Sequence, residues 1–267
     1  MATQKRQSQS KAKSSSGRPQ AALSKPRLGG KVAVITGGSR GIGLAIAEVL
    51  AAEGCSVVIT GRERKSLQAA AARISQIIPK DASAAAVAEV CDVRDPQAVA
   101  ALFESLGERF GKIDVLVNNA GISQPATPLG ETSLEVWQDN LDTNLTSVFL
   151  CTRAALPLMK AGATIVNNLS AAARQLFPNY YAYTAAKTGA LGFTLSLRAE
   201  LMPRGIRVMA LLPGATDTDI WQQIMPDAPR DHMIDAASVA QAVLYAVLLP
   251  PNVNPSEISL DPAGGAV

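Results

Sequence analysis

The chain has 267 residues, 48% hydrophobic and 18% charged, enough apolar material for one large α/β domain or two small ones. Its formal charge of +3 comes from one end: residues 1–27 hold Lys5, Arg6, Lys11, Lys13, Arg18, Lys25 and Arg27 and no acid, leaving 18 basic against 22 acidic residues elsewhere. A lone histidine, His232, excludes a multi-histidine metal site, and the scattered Cys55, Cys91 and Cys151 form no C-x-x-C pair, so neither a metal nor a disulfide framework is expected.

The opening 28 residues are rich in Ser, Gln and Lys, show no periodic apolar face, and are predicted to be a disordered basic tail before a single domain at 29–267. A solvated extension, an organellar transit peptide and an arm for nucleic acid all fit that composition; abundant lysine and weak amphipathicity favour the first. There is no unbroken run of about 18 apolar residues and no signal-peptide core, so a soluble cytoplasmic protein is expected, with neither membrane nor nucleic acid as partner.

From Lys31 the chain reads as strand, turn, helix. Val32–Thr36 is short, β-branched and apolar, as in a strand buried on both faces. Glycines 37, 38, 41 and 43 then free the backbone, and an alanine- and leucine-rich helix runs to Gly54. Further strands are predicted at 56–60, 84–90, 113–117, 164–169, 206–212 and 258–260, with helices at 64–78, 96–109, 133–159, 180–202 and 237–248. Sustained βαβ alternation with right-handed crossovers predicts an α/β fold, a doubly wound Rossmann-type parallel sheet of about seven strands with helices on both faces.

Ligands of such a sheet bind beyond the carboxyl ends of its strands, so the residues just after each strand carry the functional reading. TGGSRGIG places Gly37, Ser39, Arg40, Gly41, Ile42 and Gly43 on a turn whose N–H groups and helix dipole suit a phosphate. A glycine-rich connection without a ligand is the alternative. Arg62 follows the second strand; Asp92-Val93 follows the third, placed to meet an adenine edge. Asn118-Asn119-Ala120-Gly121 follows the fourth, and Pro213-Gly214 with Thr218 follows the sixth. In LSAAARQLFPNYYAYTAAK, Tyr183 and Lys187 are four apart and share a helix face, whereas Tyr180 and Tyr181 have no lysine at that offset. A lysine ammonium about 4 Å from a phenol, at an effective dielectric of about 20, is worth roughly 4 kcal/mol and would draw a pKa of about 10 toward about 7.

These elements, in this order, resemble the short-chain dehydrogenase/reductase family: TGGSRGIG, NNAG at 118–121, Ser170 thirteen residues before Tyr183, Lys187, and the Pro-Gly element at 213. The resemblance is close from residue 31 to the Pro-Gly element and its flank, and looser beyond. It implies a reductase similar to the 3-oxoacyl-carrier-protein and broad carbonyl reductases, moving hydride between a nicotinamide cofactor and a carbonyl or secondary alcohol. It further implies Tyr183 as general acid or base and Ser170 on the substrate oxygen. Lys187 would lower the phenol pKa and hold the nicotinamide ribose, and Asn144 would keep a water in a proton relay. A homodimer or homotetramer is implied as well. NAD-using relatives place an acid near the end of the second strand; Gly61 stands there, and with Arg40 and Arg62 it points to NADP(H). Residues 219–235, with His232, correspond to a substrate lid, and Gln124, Arg174, Gln175 and Phe177 are candidate pocket walls. The reading from another class is a catalytically silent dinucleotide-binding regulator, against which the presence of all four catalytic positions argues.

Overall fold

The central strands bury both faces, which is why their residues are apolar without alternation. The computed structural model describes residues 26–265. The first half of the chain forms β1 (Val32–Thr36), α1 (Gly41–Ala52), β2 (Ser56–Gly61), α2 (Arg64–Ser75), β3 (Ala86–Val90), α3 (Pro96–Phe110) and β4 (Val115–Asn118). There follow α4 (Leu134–Leu141), α5 (Ser147–Ala155), β5 (Thr164–Asn168), α6 (Tyr181–Leu201) and β6 (Arg207–Pro213). The chain closes with β7 (Thr216–Asp217), α7 (Trp221–Ile224), β8 (Ile234–Asp235), α8 (Ala236–Leu248) and β9 (Glu257–Leu260).

Seven parallel strands lie in the order β3-β2-β1-β4-β5-β6-β9, while β7 and β8 pair separately. Successive side chains sort to opposite faces of the sheet. Ala33, Ile35, Val115, Val117 and Met209 pack with α1, α2 and α8; Val34, Leu116, Ile165 and Val208 pack with α3, α5 and α6. Helix α1 lies along α8, so the first and last helices share one core. Arg207 at the start of β6 fastens the far end of α8, donating to the carbonyls of Ala246, Val247 and Leu249.

Several expected boundaries move. The helix expected over 133–159 breaks into α4, a π-turn at Asp142–Thr146, α5 and a 3₁₀ turn at Leu156–Leu158. Strand β4 extends one residue further than expected, because Asn118 still pairs in register with Asn167. Residues 1–25 of the expected tail lie outside the described residues, but its last part is folded. Leu28 is 6% exposed within the core, its N–H donates to the Glu53 carbonyl at 2.8 Å, and Arg27 pairs with the Glu53 carboxylate. The boundary at residue 28 therefore falls too late.

Candidate active site

Strand order reverses between β1 and β4, and a cleft of about 1020 Å³ opens beyond their carboxyl ends. Gly37 leaves β1 with φ +63, and a Cβ there would stand 2.9 Å from the Ala120 Cα. Only glycine lets this turn close onto the NNAG segment. Helix α1 starts just beyond, with no side-chain cap at Arg40 and no acid in its first turn. Its leading N–H groups and positive dipole end thus meet the cleft at Ser39, Gly41 and Ile42 without a competing protein anion. A cradle that a Cβ would fill, beside an uncapped helix start, fits a dinucleotide pyrophosphate.

Arg40 and Arg62 line the same end and are exposed. Asp92 lies nearby in a fork with Arg94, Nη2 to Oδ2 at 2.7 Å and Nε to Oδ1 at 3.1 Å, and this hydrogen bonding holds its carboxyl below the usual range. Val93, Ala120, Gly121, Pro213, Gly214 and Thr218 complete the wall on which a nucleotide would lie.

The chemistry-bearing side chains meet deeper in the cleft. Ser170 follows β5, its Oγ accepting from the Ala172 N–H at 3.1 Å. Tyr183 and Lys187 stand one turn apart on α6. Lys187 is 5% exposed; its Nζ donates to the Asn168 carbonyl at 3.2 Å and lies 5.6 Å from the Tyr183 ring centroid. Burial draws the lysine pKa down to about 8. Burial also pushes the Tyr183 phenol above its ordinary value, while its hydrogen bond with Ser170 pulls the other way. The expected lowering by Lys187 is thereby corrected: the ammonium sits over the ring, and desolvation outweighs it.

Asn144 occupies the π-turn. Its Oδ1 accepts from the Ile122 N–H at 3.1 Å, and its Nδ2 donates to the Ile122 carbonyl at 3.0 Å and to Asn140 Oδ1 at 3.3 Å. With both donors engaged, this side chain positions the loop after β4. Beyond it, the segment expected to form a lid is bracketed by the β7–β8 pair, and Trp221 is fixed by its indole N–H donating to the Thr216 carbonyl at 2.9 Å.

The model of the family described as short chain dehydrogenase matches residues 31–229. The chain belongs to that family. It is 41% identical over 199 residues to a 3-oxoacyl-[acyl-carrier-protein] reductase of Synechocystis sp., covering 74% of this chain and 78% of the relative. A short chain dehydrogenase from Burkholderia cenocepacia, solved in complex with NADP, superposes with a TM-score of 0.78 at 35% identity, covering 88% of this chain and 98% of that one. An actinorhodin polyketide ketoreductase variant solved with NADPH gives 0.73 at 31% identity, covering 86% and 95%.

Not every residue assigned from the sequence reaches the cleft of this short-chain dehydrogenase. Asn118 is 4% exposed and donates to Thr152 Oγ1 at 3.0 Å and Asn167 Oδ1 at 2.8 Å; as the last ladder residue it lies behind the wall. Gly43 is buried against the Asn119 side chain and the Gly37 carbonyl, so it serves close packing rather than ligand contact. Asn119, read from the sequence only as part of the NNAG segment, lines the cleft. Its Nδ2 donates to the carbonyls of Thr36 (2.9 Å) and Gly37 (3.1 Å), and its Oδ1 accepts from Asn168 at 2.8 Å, joining the ends of β1, β4 and β5. Among the expected pocket walls, Gln175 and Phe177 line the cleft. Gln124 is instead bonded to Asn140 at 2.7 Å, and Arg174 turns to Glu257 at 2.7 Å.

Proposed function

We propose that the protein is an NADP(H)-linked oxidoreductase that interconverts a carbonyl compound and a secondary alcohol, working as a ketone or 3-oxoacyl reductase. The observation that carries this reading is the convergence of Ser170, Tyr183 and Lys187 in the same cleft as the glycine turn. Relatives named as ketoacyl reductases, and solved neighbours holding NADP or NADPH, support it.

Bound nicotinamide supplies the hydride. Ser170 holds the carbonyl oxygen, and Tyr183 delivers the proton to it. A phenol pKa raised by burial keeps that proton in place at neutral pH, the state a general acid needs for carbonyl reduction. Lys187 would hold the nicotinamide ribose, Asn144 fixes the loop that shapes the wall, and Arg40 and Arg62 would meet the 2′-phosphate that separates NADPH from NADH. Assembly as a homodimer or homotetramer in the cytoplasm completes the proposal; among the described residues no helix is long and apolar enough to cross a membrane. The test is NADPH oxidation across a panel of ketones, aldehydes and 3-oxo esters. Tight NADPH binding with no oxidation of any of them would replace the enzyme with the silent regulator.

A further inference from the structure

The cleft is basic at one end only. Its cationic lining groups are Arg40, Arg62, Arg94 and Lys187. The three arginines flank the nucleotide wall, and Lys187 is buried beside Tyr183. The opposite end is walled by Phe177, Trp221, Ile224 and Met225, with Gln175 and Gln223 as neutral hydrogen-bonding groups. Arg174, four residues after Ser170, offers no charge there, since Glu257 holds it by two bonds of 2.7 and 3.0 Å.

The lid reinforces this asymmetry. Residues 219–235 contain four aspartates (Asp219, Asp227, Asp231 and Asp235) against one arginine, and all four are exposed, as is Asp217 just before them. Arg230 is already paired with Asp217, and His232 is the only other basic group of the segment. Asp219 reaches the cleft lining itself. The facing wall is stiffened by Asn179, whose φ of 67 makes it the only non-glycine residue in the left-handed region among the described residues. Its carbonyl accepts from the Thr127 N–H at 2.9 Å, which ties this wall to the loop after β4.

We infer, resting on the reductase reading above, that the substrate is an uncharged, apolar ketone taken free from solution, and that the acidic lid rejects ketones carried on phosphate-bearing thioesters of coenzyme A or phosphopantetheine. Apolar walls reward hydrocarbon that leaves water. A phosphate at this end of the mouth would instead face lid carboxylates, across a Debye length of about 8 Å at physiological salt, and among the described residues Arg174 and Arg230 there are already paired. In the reaction the carbonyl carbon takes hydride, the C=O π pair moves to oxygen, and oxygen takes the Tyr183 proton. Ketone, NADPH and one proton from solvent thus give alcohol and NADP⁺.

The test compares 2-octanone with acetoacetyl-coenzyme A on the full chain, by NADPH-dependent turnover and by calorimetric binding to the protein saturated with NADP⁺, which keeps coenzyme A out of the nucleotide end. The expected result is a kcat/KM for 2-octanone about 100-fold above that for the thioester, a gap of the size electrostatic bias at an interface produces. In the variant D227K/D231K, whose positions lie outside the cleft lining, thioester turnover and affinity should rise about 10-fold while 2-octanone stays within about twofold; high salt should mimic this gain in the wild type. Thioester turnover equal to or above that of 2-octanone, or a lid variant that changes both substrates alike, overturns the inference. If neither compound is turned over, the reductase reading fails separately, and the binding arm still decides whether the lid selects against the phosphate.

Discussion

The two ends of the cleft are built by different means. At the nucleotide end the contacts are made largely by backbone at strand termini. Gly37 closes against Ala120, and Thr36 Oγ1 accepts from the N–H groups of Asn119 and Ala120 at 2.9 and 3.0 Å. At the substrate end they are made by side chains on loops, held by a two-residue strand pair, the Arg230–Asp217 ion pair and an indole hydrogen bond. A ligand common to a family can be held by the sheet, which changes little when side chains change. A ligand particular to one member must be recognised by loops, which can vary without disturbing the sheet.

The sharpest way to separate the two ends is Tyr183→Phe. It should lower turnover by at least about 100-fold while leaving NADPH affinity within about twofold, because the ring keeps its packing and only the acid is removed. Stopped-flow turnover and fluorescence titration of NADPH check it; a variant that keeps more than about a tenth of wild-type turnover places the proton donor elsewhere.

A smaller effect is expected at the basic end. Replacing Arg40 and Arg62 together by alanine should shrink the kcat/KM preference for NADPH over NADH by about 10- to 100-fold, the loss of one or two charge-assisted hydrogen bonds. An unchanged preference would move the recognition of the 2′-phosphate to other residues.

The smallest effect falls on stability at the junction of the two ends. The unfolded chain keeps the Lys187 proton up to 10.5, whereas the folded protein releases it at about 8. Between those values the unfolded state binds more protons, so this residue makes stability rise with pH across the window. Relative to Lys187→Met, the wild type should gain on the order of 1 kcal/mol between pH 7 and pH 9, measured by denaturant unfolding. The buried thiols, pushed up to about 12 at Cys55, about 11 at Cys91 and about 12 at Cys151, act in the opposite direction in both proteins. Their effect cancels in the difference, and equal pH slopes for the two proteins would show that Lys187 is not held in a desolvated site.

The sheet was legible because its strands, buried on both faces, leave uninterrupted β-branched runs, and because loops at their carboxyl ends must carry the ligand residues. Asn118 was assigned to the cofactor, and Asn119 given no role of its own, for a specific reason. Strand length was judged from hydrophobicity, and an asparagine still in the ladder reads like the first residue of a loop. The π-turn at Asp142–Thr146 left no trace in the pattern, since one extra residue shifts the helical phase too little to be seen within a few turns. The side-chain pairs that fixed Gln124 and Arg174 join positions 16 and 83 residues apart, which no local pattern reports. The failed expectation for the tyrosine pKa was one of balance: separation along a helix gives the attraction between two groups but not the water they have lost.

The packing of α1 along α8 has a consequence for biosynthesis. The helix that begins at the glycine turn emerges early from the ribosome, yet the apolar side of Ile46, Ala47 and Leu50 shares its core with Val239, Val243 and Leu244, which are translated almost two hundred residues later. A nascent chain stopped before α8 therefore carries an uncovered apolar stripe on the element that frames the nucleotide site, and the carbonyls that Arg207 caps do not yet exist. Completion of the last helix, rather than of the glycine turn, is the step that should confer protease resistance on ribosome-bound chains of graded length.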